Sequence, residues 1–474
     1  MSKELQTDVA IIGAGTAGLY AMREVRRAGK DFLLIDHGPL GTTCARVGCM
    51  PSKVALHAGA QWASRHALRE IGVSGAEQLR IDTGVTWAAL RAQRDQFSAS
   101  AAGKARSGAG DKLLIGRAKF IEPSLLDVET EGGQLRVQAK SVIIANGSRP
   151  VVPGWLEPVR ARVITTDELF ELETLPTNIG ILGLGAIGLE MGLALSRLGV
   201  RVIGADLAST VAGIADPVIA ERAIACFGKE MPLWLGAATS VAMAEGGVML
   251  RSGANEAKVD VLLAALGRRP NIDGLDLAAA GFPLNERGIP LFDAATLQIQ
   301  GLPVFIAGDA NADRPLMHEA VDEGSIAGYN AARTTATRFQ RKVSLGIAFS
   351  DPDVVSVGAR LDALHADAIV VGSAAGEANG RARILGGEQS LLRIYADAAN
   401  GQLLGAAMVA TGGEHLAHLL AWAIQRKETA ESLLALPYYH PVLEEMLQAA
   451  LLDIVRQSGQ KSSLPPGLAA ETAD

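Results

Sequence analysis

The chain has 474 residues, of which 49% are hydrophobic and only 4% aromatic, and its net charge is −7. At roughly 100–200 residues per domain this length predicts about three domains, with cores of Ala, Val, Leu and Ile, as in parallel sheets covered by helices. The acidic balance offers no basic field for nucleic acid or anionic lipid, and three cysteines are too few for a disulfide scaffold. The opening residues carry no signal-peptide core, and no run of the ~20 apolar residues needed to cross a bilayer follows. The expected location is therefore the cytoplasm.

The first predicted strand, over 9–12, leads into Gly13-Ala14-Gly15-Thr16-Ala17-Gly18 and a helical pattern through Leu19, Met22 and Val25. A second strand over 32–35 ends in Asp36. In a Rossmann unit Gly13 permits the tight turn, Gly15 lets the backbone approach a pyrophosphate, and Gly18 lets helix and strand pack closely. The helix N-terminus then offers free N–H groups to phosphates. Asp36, 23 positions after the first glycine, is placed to accept hydrogen bonds from a ribose diol.

Just downstream stand Cys44 and Cys49. A close pair in a cysteine-poor chain points to catalysis or metal binding. Two thiols cannot complete a four-ligand zinc site, and no second pair or His cluster supplies the rest, so no metal is expected. Beside a bound dinucleotide they suggest an electron path from cofactor to disulfide. The glycine unit then recurs: a strand over 179–182, Gly183-Leu184-Gly185-Ala186-Ile187-Gly188, an apolar helix, a strand over 200–203, and Asp206 at the same spacing of 23. Two such units imply two dinucleotides, one fixed and one exchanging. Asp206 should bind adenosine hydroxyls and repel a 2′-phosphate, and 207–210 offer no arginine to hold one. NADH is therefore expected over NADPH. Cys226 reads as a small buried hydrophobe, and Arg201 as a solvated flank.

Taken in order, these segments resemble the class I pyridine nucleotide-disulfide oxidoreductases, most closely the dihydrolipoamide dehydrogenases. Residues 41–53 are similar to the family's redox-disulfide motif, and 145–150 to the exit from its flavin domain. Residues 266–271 resemble the close of its nicotinamide domain, and 306–310 the return strand whose aspartate holds the flavin's ribityl chain. Residues 349–358 look like the start of its dimerisation domain, and 439–445 like its C-terminal His-Pro motif. The resemblance implies an α/β fold with two Rossmann-like three-layer domains, one for FAD and one for NAD, plus a C-terminal α+β dimerisation domain. The implied boundaries are 1–150 for the first part of the FAD domain, 151–271 for the NAD domain and 272–344 for the return segment. Residues 345–456 would be the dimerisation domain and 457–474 a disordered, Ser-, Gly- and Pro-containing tail.

The same resemblance implies roles. Cys49 would be the flavin-contacting thiolate and Cys44 the exchanging thiol, joined as a redox disulfide. His440 would be the acid–base, oriented by Glu445 and acting on the other subunit's Cys44 in a homodimer. Lys53 would sit beside the flavin and Glu190 beside the nicotinamide. Thr43, Gly116, Ala118, Ala145, Gly147, Gly308, Asp309, Met317 and Ala320 would meet FAD, and Val241 and Gly267 NAD. His318 is read as structural, and His37, His57, His66, His365, His415 and His418 as surface or core residues. The implied substrate is a small dithiol or disulfide, with a lipoyl protein such as a 2-oxo acid dehydrogenase complex as partner.

Three positions depart from the family pattern. Arg46 replaces an asparagine and is expected to act on Cys44 or on an anionic substrate. Tyr438-Tyr439-His440-Pro441-Val442 lacks the auxiliary histidine and threonine, and Ala186 leaves the flavin less shielded. These departures keep a related disulfide or metal-ion reductase, or a slowly turning redox sensor, as alternatives. A C-terminus without a cysteine pair disfavours metal-ion reduction, and Asp206 disfavours glutathione reduction. Retention of both redox cysteines disfavours the transhydrogenase branch.

Overall fold

Strand Lys3–Ile12 is flanked in parallel by Phe32–Asp36 and Gly133–Ile144, and its residues alternate between two cores, as side chains on a pleated strand must. Val9 and Ile11 join Leu34, Ile143 and helix residues Ala21 and Val25, while Ala10 and Ile12 join Ile35, Val142 and Ile144 on the other face. Burial on both faces is what an uninterrupted apolar strand requires. The computed structural model describes residues 3–458, 464–468 and 470. In it this strand lies within a seven-stranded sheet, in the order 113–115, 32–36, 3–12, 133–144, 125–130, 117–122, with Val304–Ile306 returning to pair with 133–144. Helix Thr16–Arg27 covers one face together with Met317–Ala331.

The second unit repeats this logic on a five-stranded parallel sheet, in the order 233–235, 201–206, 178–182, 261–264, 163–164. Ile179 and Ile181 face helix Ala186–Arg197 through Leu189 and Leu193. Leu182 faces Val248, Leu250 and Val259 of a three-stranded antiparallel meander over 239–259. The chain enters and leaves this unit through an antiparallel pair, Ser148–Pro150 with Arg268–Pro270.

A third sheet, of five antiparallel strands in the order 345–348, 353–358, 403–410, 391–397, 369–375, carries helices Gly413–Gln425 and Glu445–Gln457 over one core. Its other face, through Val354, Tyr395 and Val409, merges with the core of the second unit. Buried Asp216 fastens that junction, accepting from Tyr395 Oη at 2.8 Å and pairing with Arg393 Nε at 3.1 Å. The architecture is therefore α/β with two Rossmann-like layers and a C-terminal α+β domain. Of the tail, 459–463, 469 and 471–474 lie outside the described residues. Among those described, no helix is long and apolar enough to cross a membrane.

Candidate active site

Both glycine cradles are built alike. A Cβ on Gly18 would lie 1.9 Å from the Gly13 carbonyl oxygen, and one on Gly188 the same distance from that of Gly183, so only glycine lets helix and turn close. Gly15 and Gly185 are different: a Cβ there would meet no protein atom within 4 Å. Their bareness leaves room for a ligand against helix N-termini that no side chain caps. Asp36 accepts from Ala14 N at 2.6 Å and Gly38 N at 2.6 Å. Asp206 repeats this with Leu184 N at 2.6 Å and Ala208 N at 2.8 Å. Each acid is thereby fixed at the edge of its cradle, with lone pairs left for a diol. Gly116 N donates to the Asp36 carbonyl at 2.9 Å.

An open cavity lies between the two cradles. Of the predicted positions Gly15, Thr43, Cys44, Cys49, Lys53, Ala145, Gly147, Glu190, Gly308, Asp309, Met317 and Ala320 line it. Gly13, Gly18, Gly183, Gly185, Gly188, Asp36, Asp206 and Gly116 stand outside it in or beside the cradles. Ala118 is buried in strand Arg117–Glu122, and Val241 pairs with Leu250 in the meander. Gly267 adopts φ +95° just before the exit strand.

The thiols form an ordered pair. Cys44 lies in the short helix Thr43–Arg46, and Cys49 is the first residue of helix Cys49–Ala63, whose N-terminus favours an anion. Both are unbonded thiols. The Cys44 S–H donates to Cys49 and, with Lys53 adding positive charge against the effect of burial, brings Cys49 down to about 7. That same hydrogen bond and burial push Cys44 up. The first proton to leave the pair therefore leaves from Cys49.

Lys53, one helical turn beyond Cys49, places Nζ 2.9 Å from both carboxylate oxygens of Glu190, which is 3% exposed on the second unit's helix. The C-terminal domain completes this pair. Phe349 N donates to Glu190 Oε1 at 3.0 Å, and its ring centroid lies 4.6 Å from Lys53 Nζ. Arg197, at the far end of the same helix, donates to the carbonyls of Ser350 at 2.9 Å and Asp351 at 2.7 Å.

His440 lies elsewhere. Its side chain is 78% exposed, with Nδ1 2.9 Å from Glu445 Oε1, and the other oxygen of Glu445 accepts from Val442 N at 3.1 Å. The imidazole interaction holds Glu445 below the usual carboxylate range. This pair does not line the cavity of its own chain. Tyr438 turns inward and donates to the Leu433 carbonyl at 3.3 Å, whereas Tyr439 is 81% exposed.

The remaining histidines and His318 are all exposed, and Cys226 is half-buried against the second core. The charge of Arg46 meets a carboxylate from the second unit. It acts on Asp167, which burial raises and Arg268 and Arg46 lower, whereas Cys49, burial and Lys53 dominate at Cys44. The sequence reading missed Arg268, Thr166, Phe170, Ile187 and Ile347 as cavity-lining residues. Arg268 also holds Ser148, with Nε 2.8 Å from its hydroxyl, and that hydroxyl donates to Asp309 at 2.6 Å. The Leu-Gly-Arg-Arg-Pro run was the available signal for Arg268; the others carry none.

Two ligand-shaped cradles, with acids at their rims and one cavity joining them past a thiol pair, fit two dinucleotides. The description "Pyridine nucleotide-disulphide oxidoreductase" belongs to the family profile matching residues 7–324, and that family's dimerisation-domain profile matches 345–451. Relatives include the dihydrolipoyl dehydrogenases of Vibrio cholerae, 28% identical over 95% of this chain and 96% of the relative, and of Pseudomonas aeruginosa, 28% identical over 95% and 98%. Among solved structures, the HOCl-induced flavoprotein disulfide reductase RclA from Escherichia coli is 23% identical over 94% of this chain and 99% of that one, with a TM-score of 0.80. LpdA from Mycobacterium tuberculosis is 21% identical over 94% and 99%, with a TM-score of 0.82. These two similarities speak to the fold. From the family profiles, borne by nearly the whole sequence, it follows that the chain is an FAD- and NAD(H)-using member of the pyridine nucleotide-disulfide oxidoreductases.

Proposed function

We propose that this oxidoreductase acts on a small dithiol of the dihydrolipoamide class, free or carried on a lipoyl protein such as that of a 2-oxo acid dehydrogenase complex. It would pass the electrons to NAD⁺ and work as a homodimer. The observation that carries this reading is the polarised Cys44–Cys49 pair, beside Lys53 and Glu190, on the wall of the cavity joining the two cradles. The relatives named dihydrolipoyl dehydrogenase and the bare rim beside Asp206 support the choice of substrate and of NAD⁺.

In the oxidised enzyme a substrate thiolate attacks Cys44 Sγ, the Cys44–Cys49 bond breaks, and Cys49 departs as the thiolate. Its low pKa makes it the better leaving group. His440 of the partner subunit takes the substrate thiol's proton, and Glu445 fixes the ring nitrogen that carries the other one. The second substrate thiol then attacks the substrate sulfur bound to Cys44, closing the product disulfide and returning Cys44 as a thiol. The result is Cys44–SH donating to a Cys49 thiolate, the arrangement the pKa ordering favours. Lys53 and the helix N-terminus hold that negative charge. Bound FAD supplies the two-electron passage from this pair to the nicotinamide.

Steady-state assays of purified yellow enzyme with NAD⁺ and dihydrolipoamide test the reading. Turnover in the range of about 1–10³ s⁻¹ is expected. A preference for glutathione disulfide with NADPH, or only slow turnover with every dithiol, would refute it.

A further inference from the structure

The turn that presents Asp309 is gripped by a buried carboxylate on the helix that follows. Glu323 has no solvent exposure. Its Oε2 accepts from Gly308 N at 2.7 Å and from Asn311 Nδ2 at 2.7 Å, and its Oε1 from Arg341 Nη2 at 2.6 Å. Gly308 and Asp309 line the cavity and Glu323 does not. The same Arg341 nitrogen also binds Glu319 Oε2 at 2.8 Å, but Glu319 otherwise meets Arg314 at 3.1 Å. Two buried acids thus share one guanidinium, and only Glu323 holds the turn.

We propose that Glu323 is a positioning residue for FAD: by fixing the Gly308 N–H and the Asn311 side chain it sets where Asp309 meets the cofactor, with Arg341 as its counter-charge. The proposal rests on Asp309 being the residue that holds the flavin's ribityl chain. Three donors converge on Glu323 from two directions, and a carboxylate can accept from all of them. A glutamine has one acceptor oxygen and one NH₂, so in either orientation it sets a donor against a donor. The turn must then shift or leave a buried polar group unpaired.

The test compares Glu323→Gln, Glu319→Gln and Asp309→Ala dimers by FAD dissociation constant and visible flavin spectrum. Glu323→Gln should weaken FAD by at least about tenfold, or about 1.4 kcal/mol, and shift the spectrum, while Glu319→Gln stays within about twofold of the parent. Equal losses in both glutamine variants would mean that the ion pair, not the turn, matters, and would overturn the proposal. So would Glu323→Gln binding FAD like the parent while Asp309→Ala does not. Asp309→Ala binding like the parent would overturn the Asp309 assignment and the proposal together. Should Glu323→Gln not fold, Asn311→Ala removes one donor from the same carboxylate, and unchanged FAD affinity there also overturns the proposal.

Discussion

Removing the Cys44 thiol tests the electrostatics of the thiol pair directly. The ordinary value for a cysteine thiol is 9.0, and Cys49 stands at about 7. That depression of about two units corresponds to about 2.7 kcal/mol favouring the thiolate. The hydrogen bond from Cys44 is its largest source, with Lys53 next among the favourable ones, and burial opposes both. In the reduced parent, Cys49 should therefore be about half ionised at pH 7, about nine-tenths at pH 8 and about one-tenth at pH 6. Cys44→Ala leaves Lys53 and the helix N-terminus in place but deletes the main contribution, so the midpoint should rise by at least about one unit, to 8 or above. The assay is the pH dependence of Cys49 alkylation by iodoacetamide, followed by mass spectrometry of the peptide carrying it. A parent midpoint near 9, or one unmoved by Cys44→Ala, would refute the reasoning.

Other consequences are equally measurable. If His440 serves the partner's thiol, Cys44→Ser and His440→Gln homodimers should each be nearly inactive. Randomly re-paired mixtures should recover roughly a quarter of the active sites, because half of such two-fold dimers are mixed and each carries one intact pairing; no recovery on mixing would place both residues in one subunit's site. Asp206→Gly combined with Leu207→Arg removes the repelling charge and supplies a phosphate partner, so the NADH preference should fall by at least about tenfold, read as the ratio of kcat/KM for the two nucleotides. Burial raises Asp353 to about 6 from an ordinary 3.8. The folded state therefore binds the extra proton between those values, and stability should decline as pH rises through that window, by up to about 3 kcal/mol. Asp353→Asn keeps an acceptor for the Glu414 N–H and should flatten that part of the pH–stability curve in urea denaturation; an unchanged slope would contradict the burial argument.

The parts of this molecule that were legible in its sequence are those whose chemistry permits few residue types. Gly13 and Gly18 had to be glycine because a Cβ would strike backbone oxygens at 2.3 Å and 1.9 Å, and the equal spacing to Asp36 and Asp206 marked both rims. The cysteines announced themselves by rarity. Lys53 and Glu190, 137 positions apart, could be paired only through family resemblance, since no local pattern links helices from different units. Ile347 was invisible as a cavity residue and Phe349 as a partner of Lys53 and Glu190, because only tertiary docking brings the C-terminal domain against them. Arg46 had a partner hidden for the same reason. Its sequence neighbour is Cys44, but its electrostatic neighbour is Asp167, which enters from the second unit. The Glu323 grip went unread because a buried glutamate on a helix looks, in sequence, like any solvated one.

The turn of residues 349–351, between the first two strands of the antiparallel sheet, carries a structural burden out of proportion to its length. It supplies an N–H to Glu190, an aromatic face to Lys53, and two carbonyls to Arg197. A version trimmed to its two nucleotide-binding halves would strip a donor from a carboxylate sealed in the interior, so miniaturising this oxidoreductase by truncation would loosen the very ammonium that steadies its sulfur anion.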